Sequence, residues 1–112
     1  MSEERSILEL ERMLREDFEG FQLGAIRALG EHSDKTAAMR VLKEAMYFSS
    51  CYIRAHAAWA FRAIGTPEAM ERINELLEDR HCEVRHAAAD ARYELMRDKK
   101  YLALVMGREK RG

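Results

Sequence analysis

Proline and glycine are scarce in this 112-residue sequence, which has one proline and six glycines. Because tight turns depend on these two residues, their scarcity argues against a fold of short strands joined by turns. The sequence is instead rich in alanine, leucine, glutamate, arginine and methionine, which favour helices. We therefore predict an all-α fold, and the length fits a single domain.

Long apolar runs are also missing. No window of the sequence approaches the roughly 18 to 20 uncharged apolar residues of a membrane span. The N-terminal residues MSEERSILELERM are acidic, whereas a secretory signal has a basic stretch followed by an apolar run. We therefore expect a cytoplasmic protein with no membrane association.

The charges of the two signs almost cancel, which leaves a formal net charge of −1. This balance argues against a bulk polyanion binder, although charge can still be segregated to one face.

Catalytic motifs are missing as well: there is no glycine-rich phosphate loop, no Gly-x-Ser-x-Gly turn and no Cys/His pair with an obvious orienting carboxylate. The sequence predicts neither an enzyme nor a cofactor site.

An internal repeat is the main positive feature of the sequence. Residues 53–65 (IRAHAAWAFRAIG) are followed by PEAMERINELL and then, 31 residues after Ile53, by a second copy beginning at Val84 (VRHAAADARYEL). An earlier copy, residues 18–30 (FEGFQLGAIRALG), matches at a spacing of 35. Repeated helical hairpins bury their apolar faces by stacking, and stacking creates an extended surface.

The repeat spacing divides the single domain, residues 1–112, into five segments. These are an N-terminal capping helix in residues 1–17, repeat units 18–48, 49–79 and 80–107, and a frayed tail in 108–112. We predict helices near residues 3–17, 19–30, 35–48, 51–64, 67–79 and 82–97. Residues 101–106 (YLALVM) are apolar and are expected to cover the last repeat or to form a homodimer.

The pattern of these copies resembles HEAT repeats. It combines Ile53-Arg54 or Val84-Arg85, an Ala-Ala step, a helix ending at Gly65, Pro-Glu-Ala and a Leu-Leu-x-Asp ending at Asp79. It is most similar to the short HEAT-like repeats of the phycobilisome lyase type, over residues 18–97. The resemblance implies a short right-handed α-solenoid of about three hairpins, with the Val-Arg helices on its concave side. Such proteins are mostly scaffolds, adaptors and assembly factors, with a minority of enzymes.

The resemblance also implies a ladder of Asp and Arg side chains along the stack. Arg54, Asp79 and Arg85 fit this ladder, whereas the corresponding positions in earlier copies hold Phe48 and Glu19. Only a truncated ladder can therefore form. We expect the Asp79 carboxylate to accept charge-assisted hydrogen bonds from Arg54 or Arg85 across a repeat junction.

The concave surface can be located from helical angles. A 100° step places Ile53, Ala57 and Phe61 on one side of their helix and Trp59 roughly opposite, facing away from the core. Translation by the two repeat spacings, together with the partner-facing positions that the resemblance implies, gives the predicted binding residues. These are Arg27, Tyr52, Ala55, His56, Trp59, Arg62, His86, Asp90 and Tyr93.

Several interpretations of this surface remain open. An exposed Trp near Arg, Tyr and His matches the composition of binding hot spots, so we expect a protein or peptide partner with acidic and apolar character. Trp59 could instead complete packing over the alanines of a neighbouring helix. The arginines on the second helices keep a nucleic-acid partner as an alternative, although Glu83 and Asp90 interrupt them. A lyase-like role in chromophore handling is the other alternative that the resemblance suggests.

The four histidines and two cysteines are candidate metal ligands. Cys82 and His86 lie four residues apart with His81 adjacent, and Cys51 and His56 lie one repeat away. Zinc motifs have close ligand pairs at short spacings, and no second such pair is present. We therefore predict no metal site.

The two cysteines, Cys51 and Cys82, lie at equivalent positions of successive repeats. Equivalent helices in a stack are roughly 10 Å apart, beyond the roughly 6 Å reach of a disulfide, so we expect both cysteines to be reduced.

Overall fold

The computed structural model describes residues 4–111, with side chains described for residues 4–107. These residues form seven α-helices and no β-strand, which confirms the predicted all-α class. The helices are α1 (Ile7–Arg15), α2 (Glu19–Gly30), α3 (Lys35–Ala45), α4 (Cys51–Ile64), α5 (Pro67–Leu76), α6 (Cys82–Met96) and α7 (Lys99–Arg111). None of the helices in this part of the chain has the length and apolar character needed to cross a bilayer.

Side-chain caps determine where several helices begin. Ser6, Asp34, Ser50 and Thr66 each accept a hydrogen bond from the backbone N–H three residues further along the chain. The cap at Ser6 explains why α1 begins later than the predicted helix of residues 3–17, whose first residue lies outside the described part of the chain. The helix ends at Arg15 because Glu16 is extended. At the other end of α4, Gly65 has a φ of +71°, the left-handed conformation that ends many helices and that glycine adopts without a steric penalty.

The helices form two layers of a short solenoid. Helices α2, α4 and α6 pack side by side as one layer. On the other side, α1 packs on α2 and α3, α3 on α2 and α4, and α5 on α4 and α6. The principal extents are 45 × 38 × 22 Å. The structure therefore has the solenoid-like architecture that the repeats predict, and the α2–α4–α6 layer corresponds to the predicted concave side.

Small residues allow the helices of this layer to approach closely. A Cβ atom added to Gly30, at the end of α2, would lie 3.0 Å from Ala60 Cα and 3.2 Å from Ala60 O. Both atoms belong to the backbone of α4, so they cannot move aside without shifting the helix. Gly30 is therefore needed for close helix packing, whereas a Cβ atom added to Gly24 would have no atom of the described residues within 4 Å.

We expect Gly30→Val to lower the free energy of unfolding by about 1 to 3 kcal/mol, because it overpacks the contact between α2 and α4. The matched variant Gly24→Val should change it by no more than about 0.5 kcal/mol, because the added Cβ meets no described atom within 4 Å and valine is not less favoured than glycine within a helix. Urea unfolding of both variants measures the difference. Equal stabilities of the two variants would contradict the close-packing role of Gly30.

The C-terminal apolar segment lies within α7, which also includes residues 108–111 of the predicted tail. This helix contacts α5 and α6, and its Tyr101 packs against the core. Leu102, Leu104 and Met106 remain exposed. The association of two copies through this segment stays a prediction.

Candidate functional site

A groove of about 580 Å³ runs between α2 and α4. Small residues are prominent in its lining: Gly24, Gly30, Ala60 and Ala63. The remaining lining residues are apolar or polar side chains of the same two helices and the turn after α2: Leu23, Ile26, Arg27, Glu31, His56 and Trp59. The groove can therefore hold an apolar group while charged atoms at its edge bind polar ones.

Trp59 lines this groove and is 37% exposed. Its neighbours in sequence, Ala58 and Ala60, are buried in the core, so α4 directs the indole away from the core. The protein therefore covers most of the residue, while more than a third of its surface remains open to solvent. Such an aromatic side chain is already positioned, and a ligand would cover the remaining surface at a small entropic cost.

The structure brings only part of the predicted surface together. Arg27, His56 and Trp59 line the same groove. Tyr52 is exposed and Ala55 is half-buried, and neither lines this groove.

Arg62 lines a second groove of about 610 Å³ between α4 and the segment that includes α7, together with Lys35, Asp98 and Lys100. Its Nε atom lies 3.3 Å from Glu94 Oε1. Ala63 lines both grooves, so they adjoin each other along α4.

The predicted residues on α6 lie outside both grooves. His86, Asp90 and Tyr93 are exposed, and none of them lines either groove. Tyr93 instead accepts a hydrogen bond of 3.0 Å from Arg97 Nη1 through its hydroxyl group. The Arg97 guanidinium carbon also lies 5.3 Å from the centre of the Tyr93 ring, a cation–π geometry.

Arg54 and Asp79 form a buried ion pair. Arg54 Nε donates to Asp79 Oδ2 at 2.8 Å and Nη2 donates to Oδ1 at 3.0 Å, which is bidentate geometry. The two side chains are 3% and 8% exposed. Arg54 Nη1 also donates to the carbonyls of Phe48 and Ser49. Of the two arginines considered for Asp79, Arg54 therefore binds the carboxylate, whereas Arg85 Nη1 donates to the backbone carbonyl of Asp79 at 2.8 Å.

This pairing changes the acid–base properties of both groups. Burial raises the pKa of Asp79, but hydrogen bonds from Arg54 and from the His81 N–H, with the charges of Arg54 and Arg80, outweigh it and lower that pKa below its usual value. The hydrogen bond to Asp79 raises the pKa of Arg54 despite burial. Both groups are therefore charged at neutral pH, and their position inside the stack indicates a structural role.

A cluster of three further side chains was missed by the sequence analysis. One ligand atom from each of Cys51, His81 and Glu83 lies within 4.8 Å of the others. Cys51 is the first residue of α4, and His81 is the N-cap of α6. The signal was present in the 31-residue spacing, because a repeat that places Cys82 beside Cys51 also brings its neighbours His81 and Glu83 close to Cys51.

Most of the chain matches one known protein family. The family model of HEAT repeats matches residues 7–93, from the first residue of α1 to within α6. Comparison with curated proteins and with solved structures gives no match. HEAT repeats are commonly protein-interaction scaffolds. The match covers most of the chain and agrees with the two-layered stack of helical hairpins, so this protein belongs to the HEAT-repeat family.

Proposed function

We propose that this protein is a non-enzymatic scaffold or adaptor that holds an acidic and apolar segment of another protein in the grooves along α4. The observation that carries this proposal is the groove lined by Arg27, His56 and Trp59. The sequence also resembles phycobilisome lyase repeats, which suggests chromophore handling as an alternative function. No feature of the two grooves favours that alternative.

Trp59 supplies the apolar anchor of the proposed site. Gly24 lines the same groove as the indole, and no described atom lies within 4 Å of its Cβ position, so the groove is open at this point. A large apolar side chain of the partner can enter this space and cover both the indole and the small residues of the groove. Buried aromatic anchors of this kind commonly dominate the binding energy of an interface.

The charges around the two adjoining grooves favour an acidic partner. Arg27, Lys35 and Lys100 line them without an ion pair among the described residues, while Glu31 and Asp98 are the acidic groups of the lining. Positive charge therefore prevails even when Arg62 is counted as neutralised by Glu94. Complementary charge of this kind steers the partner and sets its orientation.

The proposal is tested by selecting a random peptide phage library on the immobilised protein and synthesising the enriched peptide. We expect the selected sequences to combine acidic residues with a large apolar residue. Trp59→Ala should weaken binding of that peptide roughly 30-fold or more, as for a hot-spot residue, and Arg27→Glu should weaken it also. Fluorescence anisotropy of the labelled peptide measures both effects.

The matched control is Tyr47→Ala, which removes an aromatic side chain that is 79% exposed and lines neither groove. It should leave the affinity unchanged. Thermal unfolding of each variant separates lost binding from lost folding, and Arg27, being exposed, tests the groove independently of packing by Trp59. Unchanged affinity in the folded Trp59 and Arg27 variants would overturn the proposal. If the protein instead binds nucleic acid with an affinity that falls steeply with salt concentration, the nucleic-acid alternative is favoured.

A further inference from the structure

We propose that Cys51, His81 and Glu83 form a binding site for a divalent transition metal ion of the zinc type, at the junction between α4 and α6. A thiolate sulfur, an imidazole nitrogen and a carboxylate oxygen are the three ligand types that zinc takes from proteins. Three protein ligands leave one position of a tetrahedron for water or for a group of a bound partner. The site is separate from the grooves, since none of its residues lines either of them.

The distances between the ligand atoms fit this coordination after small side-chain rotations. The atoms lie within 4.8 Å of one another. Bonds of about 2.0 to 2.3 Å in a tetrahedral zinc site place its ligands roughly 3.3 to 3.8 Å apart. Glu83 is exposed, whereas Cys51 and His81 are half-buried, so the Glu83 side chain has the most space to rotate and close these distances.

The buried ion pair between Arg54 and Asp79 joins the two segments that carry Cys51 and His81. Asp79 Oδ1 accepts a hydrogen bond of 2.9 Å from the His81 N–H, and the same carboxylate binds Arg54, one turn after Cys51 on α4. The backbone that carries His81 is therefore tied to the helix that begins with Cys51. Outer interactions of this kind orient metal ligands and increase their affinity. The positive charge of Arg54 is neutralised by Asp79, which reduces its repulsion of a bound cation.

Metal binding has two proton requirements here. The Cys51 thiol loses its proton to solvent when the sulfur–metal bond forms, because the thiolate is the ligand. His81 Nδ1 accepts a hydrogen bond of 3.1 Å from the Glu83 N–H, so the neutral ring carries its proton on Nε2. Coordination through Nδ1 displaces that hydrogen bond, and coordination through Nε2 moves the ring proton to Nδ1. Either route breaks the hydrogen bond by which His81 caps α6. Because this loss opposes metal binding, the site binds zinc more weakly than a closed structural zinc site.

The test is a titration of the reduced, metal-free full chain with Co²⁺, which substitutes for zinc and reports thiolate coordination by a charge-transfer absorption band. We expect one equivalent to bind with this band. Cys51→Ser should abolish it. Cys82→Ser is the matched control because Cys82 occupies the equivalent position one repeat later and does not belong to the cluster, so its band should persist.

His81→Ser tests the second ligand without removing the helix cap, since Ser50 caps α4 from the equivalent position. It should weaken Co²⁺ binding at least tenfold while thermal unfolding of the metal-free protein stays close to wild type. The inference is overturned if the wild-type protein gives no charge-transfer band, if Cys51→Ser retains it, if Cys82→Ser loses it, or if His81→Ser binds Co²⁺ as tightly as wild type.

Discussion

Replacement of Arg54 by methionine is expected to lower the free energy of unfolding by about 3 to 5 kcal/mol. The Asp79 carboxylate would then remain buried without its two guanidinium hydrogen bonds. The carbonyls of Phe48 and Ser49 would also lose their donor. Since small domains have total stabilities of about 5 to 15 kcal/mol, this loss is a large share of the free energy of unfolding. Urea denaturation followed by circular dichroism measures the loss.

Arg85→Met is the control for this prediction, because Arg85 is exposed and its one side-chain hydrogen bond to another described residue is to the backbone carbonyl of Asp79. It should cost about 1 kcal/mol or less. The double variant Arg54→Met, Asp79→Leu should be more stable than Arg54→Met alone, because it no longer buries an unpaired charge. A stability of Arg54→Met within 1 kcal/mol of wild type would show that the pair makes little difference to the fold.

Phe61→Ala is expected to destabilise the protein by about 3 to 5 kcal/mol, the usual cost of removing a buried aromatic ring. Phe61 is fully buried in the core, on α4, which has a neighbouring helix of its own layer on each side. Its removal would therefore leave a cavity whose walls are held in place by the neighbouring helices. The midpoint of thermal unfolding should fall accordingly.

The equivalent position one repeat later gives a matched control. It holds Arg92, which is exposed and donates a hydrogen bond of 3.1 Å to Asn74 Oδ1. Arg92→Ala should change the free energy of unfolding by no more than about 0.5 kcal/mol, as for most surface substitutions. Comparable losses for Phe61→Ala and Arg92→Ala would contradict the different burial of these two positions.

The repeat spacing predicted the fold well because hairpin stacking depends on a pattern that recurs along the chain. The ends of the helices depend on individual contacts instead. The predicted helix of residues 35–48 ends at Ala45, and the carbonyls of Phe48 and Ser49 bind Arg54 in place of helical partners. That arrangement requires a long-range contact, which local propensity does not contain.

The last helix shows a local signal that the sequence analysis did not use. Asp98 Oδ1 accepts hydrogen bonds from the N–H groups of Lys100 and Tyr101, so this aspartate caps the start of α7. An aspartate immediately before a run of helix-forming residues is a recognisable start signal. This signal predicts a helix that includes residues 101–106, for which the repeat pattern gives none.

Helical angles identified Arg27, His56 and Trp59, which do share a groove. They did not identify Glu31 or the close contact between Gly30 and Ala60, because angles describe the face of one helix and not its distance from the next. The cluster around Cys51 was missed for a related reason. Cys51 and His81 stand among the candidate ligands of the sequence, but Glu83 does not, and the three ligand atoms meet only across the junction of α4 and α6.

Asp79 also affects how the molecule can come apart. A stack in which each hairpin touches only its neighbours can fray from an end, one unit at a time. Here the turn after α5 is fastened to α4 through Arg54 and to α6 through Arg85. Unfolding that starts at the C-terminal end can release α6 from this turn by breaking the exposed Arg85 bond, whereas release of α5 from α4 must also break the buried Arg54 pair. The hairpin of α4 and α5 is therefore expected to stay closed after α6 has opened.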